Sequence, residues 1–244
     1  MGNLIQPKDI QVKLAQQNFL TLDFIPAKES PLFIKVFRWY TWLLFKRRFE
    51  NVWLKQEYSP CSECKTIYFL NHHSWWDGLI PLLLNEFRFH QQARALMEDK
   101  QMQEYSLFQK IGAFSINRED PKKAIRSLRY AVNSFERDHS SLFIYPEGTI
   151  TPAGSSMDFE GGLAWLSDKL PEVDLVPVAI YMHTIRYDKP ELHLHVGQRL
   201  RSYDKLSSEE RTHRFEDKLD QMISDLRQKA GFQNDEKIGF ERMI

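Results

Sequence analysis

Cysteine is nearly absent: Cys61 and Cys64 are the two in 244 residues. Two cysteines cannot build a disulfide framework, and the expectation is a pair of reduced surface thiols in a reducing compartment. Net charge is absent too, with 33 Lys+Arg against 33 Asp+Glu. That balance argues against nucleic acid as a partner, which usually calls for a basic excess. No apolar run approaches the ~20 residues of a spanning helix; the nearest, Pro31 to Phe45, is interrupted by Lys35 and Arg38. The first 20 residues lack the charged start and apolar block of a secretory signal. Gln6 stands where N-myristoylation wants Ser or Thr. Repeats, low-complexity tracts and Gly/Ser linkers are also missing.

What is present is a core-forming composition, 42% apolar and 27% charged, which excludes intrinsic disorder. A chain of this length hides roughly 70–75% of its unfolded surface on folding, and favours one large α/β domain. Aromatic content is high, with 6 Trp and 17 Phe. Many of these rings crowd into PLFIKVFRWYTWLLFKRRF, which starts at Pro31 and carries Lys46, Arg47 and Arg48 towards its end. The first 54 residues hold eight Lys/Arg against four Asp/Glu. An aromatic helix tipped with cations suits a bilayer interface, where rings sit among headgroups and cations meet anionic lipid. A helix packed on the domain with solvated cations has the same composition. The expectation is an interfacial helical arm over residues 1–54, docking on the cytoplasmic face of a membrane, followed by an α/β domain over residues 55–244.

Downstream, strand-like and helix-like stretches alternate. Strands are expected at Thr66–Leu70, Ala93–Met97, Gly112–Ile116, Ser141–Tyr145 and Leu175–Tyr181, with a half-exposed strand at Glu191–Val196. Helices are expected at Asp77–Phe89, where Pro81 could bend the axis, at Pro121–Phe135 and at Phe159–Leu170. The last helix, Ser207–Ala230, opens on a Ser207/Glu210 capping box and stops at Gly231. Alternation of this kind predicts a mixed, largely parallel sheet covered by helices, with ligands at the strand C-terminal ends.

The first such end reads Asn71-His72-His73-Ser74-Trp75-Trp76-Asp77. Five residues separate His72 from Asp77, and five helical steps rotate about 500°, so the two cannot share a helix face. They meet only if His72 lies on the loop and folds back over the first turn. Asp77 would then accept the Nδ1 proton of His72 and leave Nε2 free as a base. A His–Asp pair without its own nucleophile suits deprotonation of a substrate hydroxyl; a Ser-led helix start with Asp as a capping carboxylate has the same spacing. Gly112 to Arg118 brings an Arg out of a short strand, and Arg suits bidentate phosphate binding as well as surface ion pairing. Pro146-Glu147-Gly148-Thr149 places a carboxylate and a glycine at a third strand end, either a ligand loop or an ordinary turn.

Together these loops resemble the glycerolipid acyltransferases, the 1-acylglycerol-3-phosphate acyltransferases and their relatives. The NHxSxxD block is matched by Asn71 to Asp77, Gly-x5-Arg by Gly112 to Arg118, and FPEGT by Tyr145 to Thr149 with Tyr for Phe. The V-P-hydrophobic block is matched by Val176-Pro177-Val178. The resemblance implies an O-acyltransferase with His72 as general base oriented by Asp77, and direct attack on the thioester of acyl-CoA or acyl carrier protein. It implies Arg118 as the residue that holds the phosphate of an acceptor such as 1-acylglycerol-3-phosphate or a related lyso-lipid, Glu147 and Gly148, with Thr149, as contacts to the acceptor's polar part, Pro177 as pocket wall, and oxyanion stabilisation by backbone amides near the helix start. It implies no metal and no cofactor. Leu79 to Leu84 would line an acyl channel or pack in the core. One position departs: the family block usually continues with Arg, and here Ile150 stands there. That loss of a cation widens the acceptors to a different lyso-lipid, a glycolipid, an amino-acid lipid or another hydroxyl-bearing apolar molecule.

Rival readings are weaker. A metal hydrolase would need His72, His73 and Asp77 on one ion, and adjacent histidines rarely converge so. Cys61-Ser62-Glu63-Cys64 lacks the second pair of a zinc ribbon. A non-catalytic lipid-binding protein on the same fold would have no use for the His72–Asp77 pair.

Overall fold

The computed structural model describes residues 24–200, 205–231 and 239–244. Their apolar runs become strands of one sheet: β1 (Val52–Gln56), β2 (Thr66–Leu70), β3 (Gln92–Glu98), β4 (Ala113–Ile116), β5 (Ser140–Ile144), β6 (Asp174–His183), β7 (Glu191–Val196) and β8 (Glu241–Arg242). The order is β4-β3-β5-β2-β6-β7-β1-β8. β2 pairs in parallel with β5 and β6, and β3 with β4 and β5. β7 runs antiparallel to β6 and parallel to β1, which β8 caps in the antiparallel sense. The expected mixed, largely parallel α/β sheet is therefore present. Its five parallel strands end on one edge, and the loops leaving that edge carry His72, Arg118 and Glu147.

β2 and β5 are buried at every position, as unbroken apolar runs in a two-sided sheet should be. β2 sends Ile67 and Phe69 to one face, where they meet Phe114, Leu142 and Phe215. It sends Tyr68 and Leu70 to the other, with Phe45, Leu83, Phe143 and Val176. The first face is covered by α4 (Pro121–Ser134), α5 (Gly162–Lys169) and α6 (Ser208–Lys229), the second by α1 (Pro31–Arg48) and α2 (Ile80–Leu84). α3 (Asp99–Glu104) is a short helix between β3 and β4 that the sequence pattern did not announce.

Three expectations are corrected. β7 is buried along almost its whole length rather than half-exposed. Its carboxylate is satisfied internally: Glu191 accepts from Asn51 Nδ2 at 3.0 Å, Trp53 Nε1 at 3.0 Å and Arg186 Nε at 2.9 Å. His193 stacks between His183 and Phe240. The stretch 77–89 is a composite: a 3₁₀ turn at Trp75–Leu79, then α2, then a π turn at Asn85–Phe89. Pro81 sits in the first turn of α2, where a missing N–H costs no bond, so it bends nothing. The π turn closes because the Asn85 amide holds Gln91 at both backbone atoms, 3.0 Å each. Third, Cys61 and Cys64 are joined in a disulfide rather than free. The turn between β1 and β2 brings Cys64 N to 3.2 Å from Cys61 O and the Cα atoms to 5.0 Å, within bridging distance.

The N-terminal region is stitched to the sheet. Residues 1–23 of the expected arm lie outside the described residues. Ile25 O accepts from Ser115 N at 2.9 Å, and Ile25 N donates to the Ser115 hydroxyl at 2.8 Å. Glu29 pairs with Arg94 on β3 at 2.8 Å and with Arg137 at 3.2 Å. Ser30 then caps α1 by accepting from Phe33 N at 3.4 Å, with Pro31 in the first turn. β1 straddles the boundary expected between residues 54 and 55, since Val52 and Leu54 pair with Leu192 and Leu194.

Candidate active site

His72 is fixed by what precedes it. Asn71, fully buried at the end of β2, donates to Ile180 O at 2.9 Å and accepts from Ile180 N at 2.8 Å. This clamps the exit of the chain from the sheet. The next residues form the 3₁₀ turn, whose tightness returns Asp77 to His72. Asp77 Oδ2 accepts from His73 N at 2.7 Å and Ser74 N at 2.8 Å, and lies 3.2 Å from His72 Nδ1. Its Oδ1 accepts from the Ser74 hydroxyl at 2.8 Å.

Four donors thus converge on this buried carboxyl group and fix its orientation. It places the His72 proton on Nδ1 and leaves Nε2 as the basic nitrogen. The Ser74 hydroxyl is tied to Asp77, so it is no partner for His72. The amides of His73 and Ser74 are also engaged by Asp77, which removes them as donors for an oxyanion. His73 turns the other way, its Nδ1 donating to Thr151 O at 3.1 Å. Among the described residues no group of three His, Cys, Asp or Glu side chains is placed to hold a metal ion.

Tyr145 and Thr151, which the sequence reading did not single out for the site, complete the support. The Tyr145 ring lies 4.4 Å from the His72 ring, centre to centre, and its hydroxyl donates to the backbone carbonyl of Asp77. Burial, reinforced by the charge of Asp77, pushes the Tyr145 hydroxyl well above the ordinary phenol range, so it stays a donor. Thr151 N donates to His72 O at 2.9 Å, and the Thr151 hydroxyl donates to Glu147 Oε2. Glu147 is buried and braces the loop opposite His72. The signal for Tyr145 was its departure from Phe, which adds a hydroxyl at a strand end; Thr151 gave none.

Arg118 comes from the loop after β4. Its Nε donates to Glu160 at 2.6 Å, its Nη1 donates to Gly148 O at 2.7 Å, and Nη2 also faces Glu160. Gly148 has φ +67°, and a Cβ there would stand 2.5 Å from Arg118 Cζ, so the guanidinium lies flat on the glycine. Gly112, at the other end of the same block, has φ +97° and would press a Cβ to 2.5 Å from Ala93 O. It turns the chain tightly against β3.

His72, Arg118, Gly148, Thr149 and Ile150 line one cavity of about 660 Å³. It runs past Leu79, Pro81 and Leu82, while Ile80, Leu83 and Leu84 pack into the core. The Leu79–Leu84 stretch thus divides between channel and core with helical periodicity. Pro177 does not line the cavity. It stands in β6 where pairing with β7 ends: its carbonyl accepts from Gly197 N at 2.9 Å, and its ring lies beside Gly197.

Half-buried His72, paired to buried Asp77, thus borders a cavity with largely apolar walls. Residues 50–181 match the family model Acyltransferase, more than half of the chain, and the protein belongs to that family. The fold is similar to the crystal structure of the 1-acyl-sn-glycerophosphate (LPA) acyltransferase PlsC from Thermotoga maritima. The TM-score is 0.58 at 17% identity, covering 80% of this chain and 81% of that one. No curated protein matches the chain.

Proposed function

We propose that the protein transfers a fatty acyl group from a thioester donor, acyl-CoA or acyl carrier protein, to a hydroxyl of a lyso-lipid. His72 Nε2 takes the proton from the acceptor hydroxyl, and the oxygen attacks the thioester carbonyl. The tetrahedral intermediate collapses with loss of the thiolate, which leaves with the proton held by His72. Asp77 keeps the imidazole in the required tautomer and balances the imidazolium that forms. The cavity beyond Leu79 and Leu82 takes hydrocarbon. Acyl donors of both kinds carry phosphates, and α4 offers cations for them: Lys122, Arg126 and Arg129 are exposed at helical spacing, and the helix has no acidic residue.

The observation that carries the reading is the His72–Asp77 contact at the cavity mouth. Docking on a membrane surface is supported by α1, whose outer face exposes Leu32, Val36, Trp39, Tyr40 and Leu43, spaced along one side of the helix. Lys46, Arg47 and Arg48 form its last turn. Among the described residues no helix is long and apolar enough to cross a membrane, so the proposed contact is peripheral.

The test is acyl transfer followed by mass spectrometry. General-base contributions run to about 10²–10⁴-fold, and His72→Ala is expected to lose about 10³-fold in turnover with an unchanged unfolding midpoint. Full residual turnover by the folded variant removes the base assignment.

A further inference from the structure

The three arginines that line the cavity are all engaged by carboxylates of the chain: Arg94 and Arg137 share Glu29, and Arg118 faces Glu160. No lysine lines it among the described residues. We propose that the acceptor carries no phosphate beside its reacting hydroxyl and is a neutral hydroxy-lipid, an inference that rests on the acyl-transfer reading above.

Arg118 is the arginine at the mouth on the His72 side, and its three side-chain nitrogens all face acceptors supplied by the chain. Its contact with Gly148 O pins the loop that carries Tyr145, Glu147 and Thr151. Those residues in turn hold Asp77 and the His72 carbonyl. The guanidinium is thereby built into the support of the catalytic pair, and the flat seat at Gly148 fixes it there.

A phosphate brought to this position meets the Glu160 carboxylate first. To bind Arg118 it must displace an anion that the chain keeps permanently at hand, which an intramolecular partner resists at any ligand concentration. The next position able to supply a cation is Ile150. It is 47% exposed and lines the cavity, and it offers a hydrocarbon side chain. A phosphate monoester carries up to two negative charges and needs paired, charge-assisted donors when taken out of water. A glyceryl or glycosyl headgroup needs hydroxyl partners only, and Thr149 with the loop backbone supplies those.

The experiment compares two acceptors that differ in the phosphate alone, 1-oleoylglycerol and 1-oleoylglycerol-3-phosphate, in neutral detergent micelles. Each is offered with oleoyl-CoA and with oleoyl-acyl carrier protein, to the full chain, to His72→Ala and to Ile150→Arg/Glu160→Gln. The expected result is a kcat/KM at least tenfold higher for 1-oleoylglycerol in the wild type. The double variant, which frees Arg118 and adds a second cation, should move that ratio at least tenfold towards the phosphate. A wild-type ratio below ten, or a double variant that acylates both lipids with the ratio unmoved, overturns the inference. Absence of any His72-dependent product from every pairing is a different result: it overturns the acyl-transfer reading and takes this inference with it.

Discussion

α1 and α6, of 18 and 22 residues, have the same punctuation and opposite uses. Each opens on a capping serine, Ser30 or Ser207, and each closes on basic residues that complement the helix dipole. α6 turns Phe215, Leu219, Met222, Ile223 and Leu226 onto the sheet and shows water its charged side. α1 buries only Thr41 and Phe45, while Leu32 and Leu43 stand 74% and 58% exposed. These exposed apolar residues lie along one side of the helix. The two helices cover opposite faces of the same sheet. Apolar residues of α6 serve the chain's own core, while those of the α1 stripe stand exposed; on the proposal above they meet a membrane surface.

The largest effect that would break this contrast belongs to α6. Phe215 is fully buried among Phe69, Leu219 and their neighbours, and Phe215→Ala is expected to cost about 3–5 kcal/mol of unfolding free energy. Urea unfolding measures it, and a loss under about 1 kcal/mol would mean that α6 is not the seal of that face.

An intermediate effect belongs to Glu29, two residues before α1. Burial pushes its carboxyl up, yet the hydrogen bond from Arg94 and the charges of Arg94 and Arg137 outweigh this and hold the pKa below the ordinary carboxylate value. A lowered folded-state pKa means stability that is present above the unfolded-state pKa and lost as pH falls through the folded one. Glu29→Gln should cost about 1–2 kcal/mol at neutral pH, a charged hydrogen bond discounted for partial exposure. The deficit should fade as the medium is acidified. A deficit that is constant with pH would assign the loss to packing rather than to the ion pairs.

The smallest effect on stability sharpens the comparison from the α1 side. Trp39→Ser with Leu43→Ser should leave unfolding within about 0.5 kcal/mol of wild type, as exposed substitutions do. It should weaken sedimentation with anionic vesicles more than tenfold, because burying such a side chain is worth roughly 1.5–3 kcal/mol. Point variants are needed here: removing residues 1–54 would also delete the buried Phe45, Phe49 and Val52. Unchanged vesicle binding would place the membrane contact elsewhere, and a large loss of stability would mean that the stripe packs on the protein.

Local pattern made much of this protein legible. TIYFL and SLFI are strands because unbroken apolar runs have no other stable use in a short segment. The Ser207/Glu210 capping box starts α6 where it was expected, with Glu210 Oε2 accepting from Ser207 N at 2.7 Å. The spacing of His72 and Asp77 stated its own condition, a loop histidine folded back on a first turn, and the 3₁₀ turn meets it. The errors share a cause. Glu191 and His193 read as outward-facing because a polar residue in a strand usually is, and their partners Asn51, Trp53 and Phe240 lie far away in the chain. The pairing of β1 with β7 likewise spans some 140 residues, a contact that local pattern does not carry.

The sequence by itself determined the strands, the capped helices, the order of the four family blocks and the Ile150 that stands where the family block usually has Arg. Each of these depends on residues within a few positions of one another, where periodicity and capping act. Only the tertiary structure decided that Arg118 would face Glu160, 42 residues on, and that Glu147 would brace Thr151 instead of opening to the cavity. It alone decided that the stripe on α1 would face away from the domain. A charge chooses its partner and an apolar face its neighbour by what the closed sheet brings within a few ångströms, and that distance is not written in local sequence.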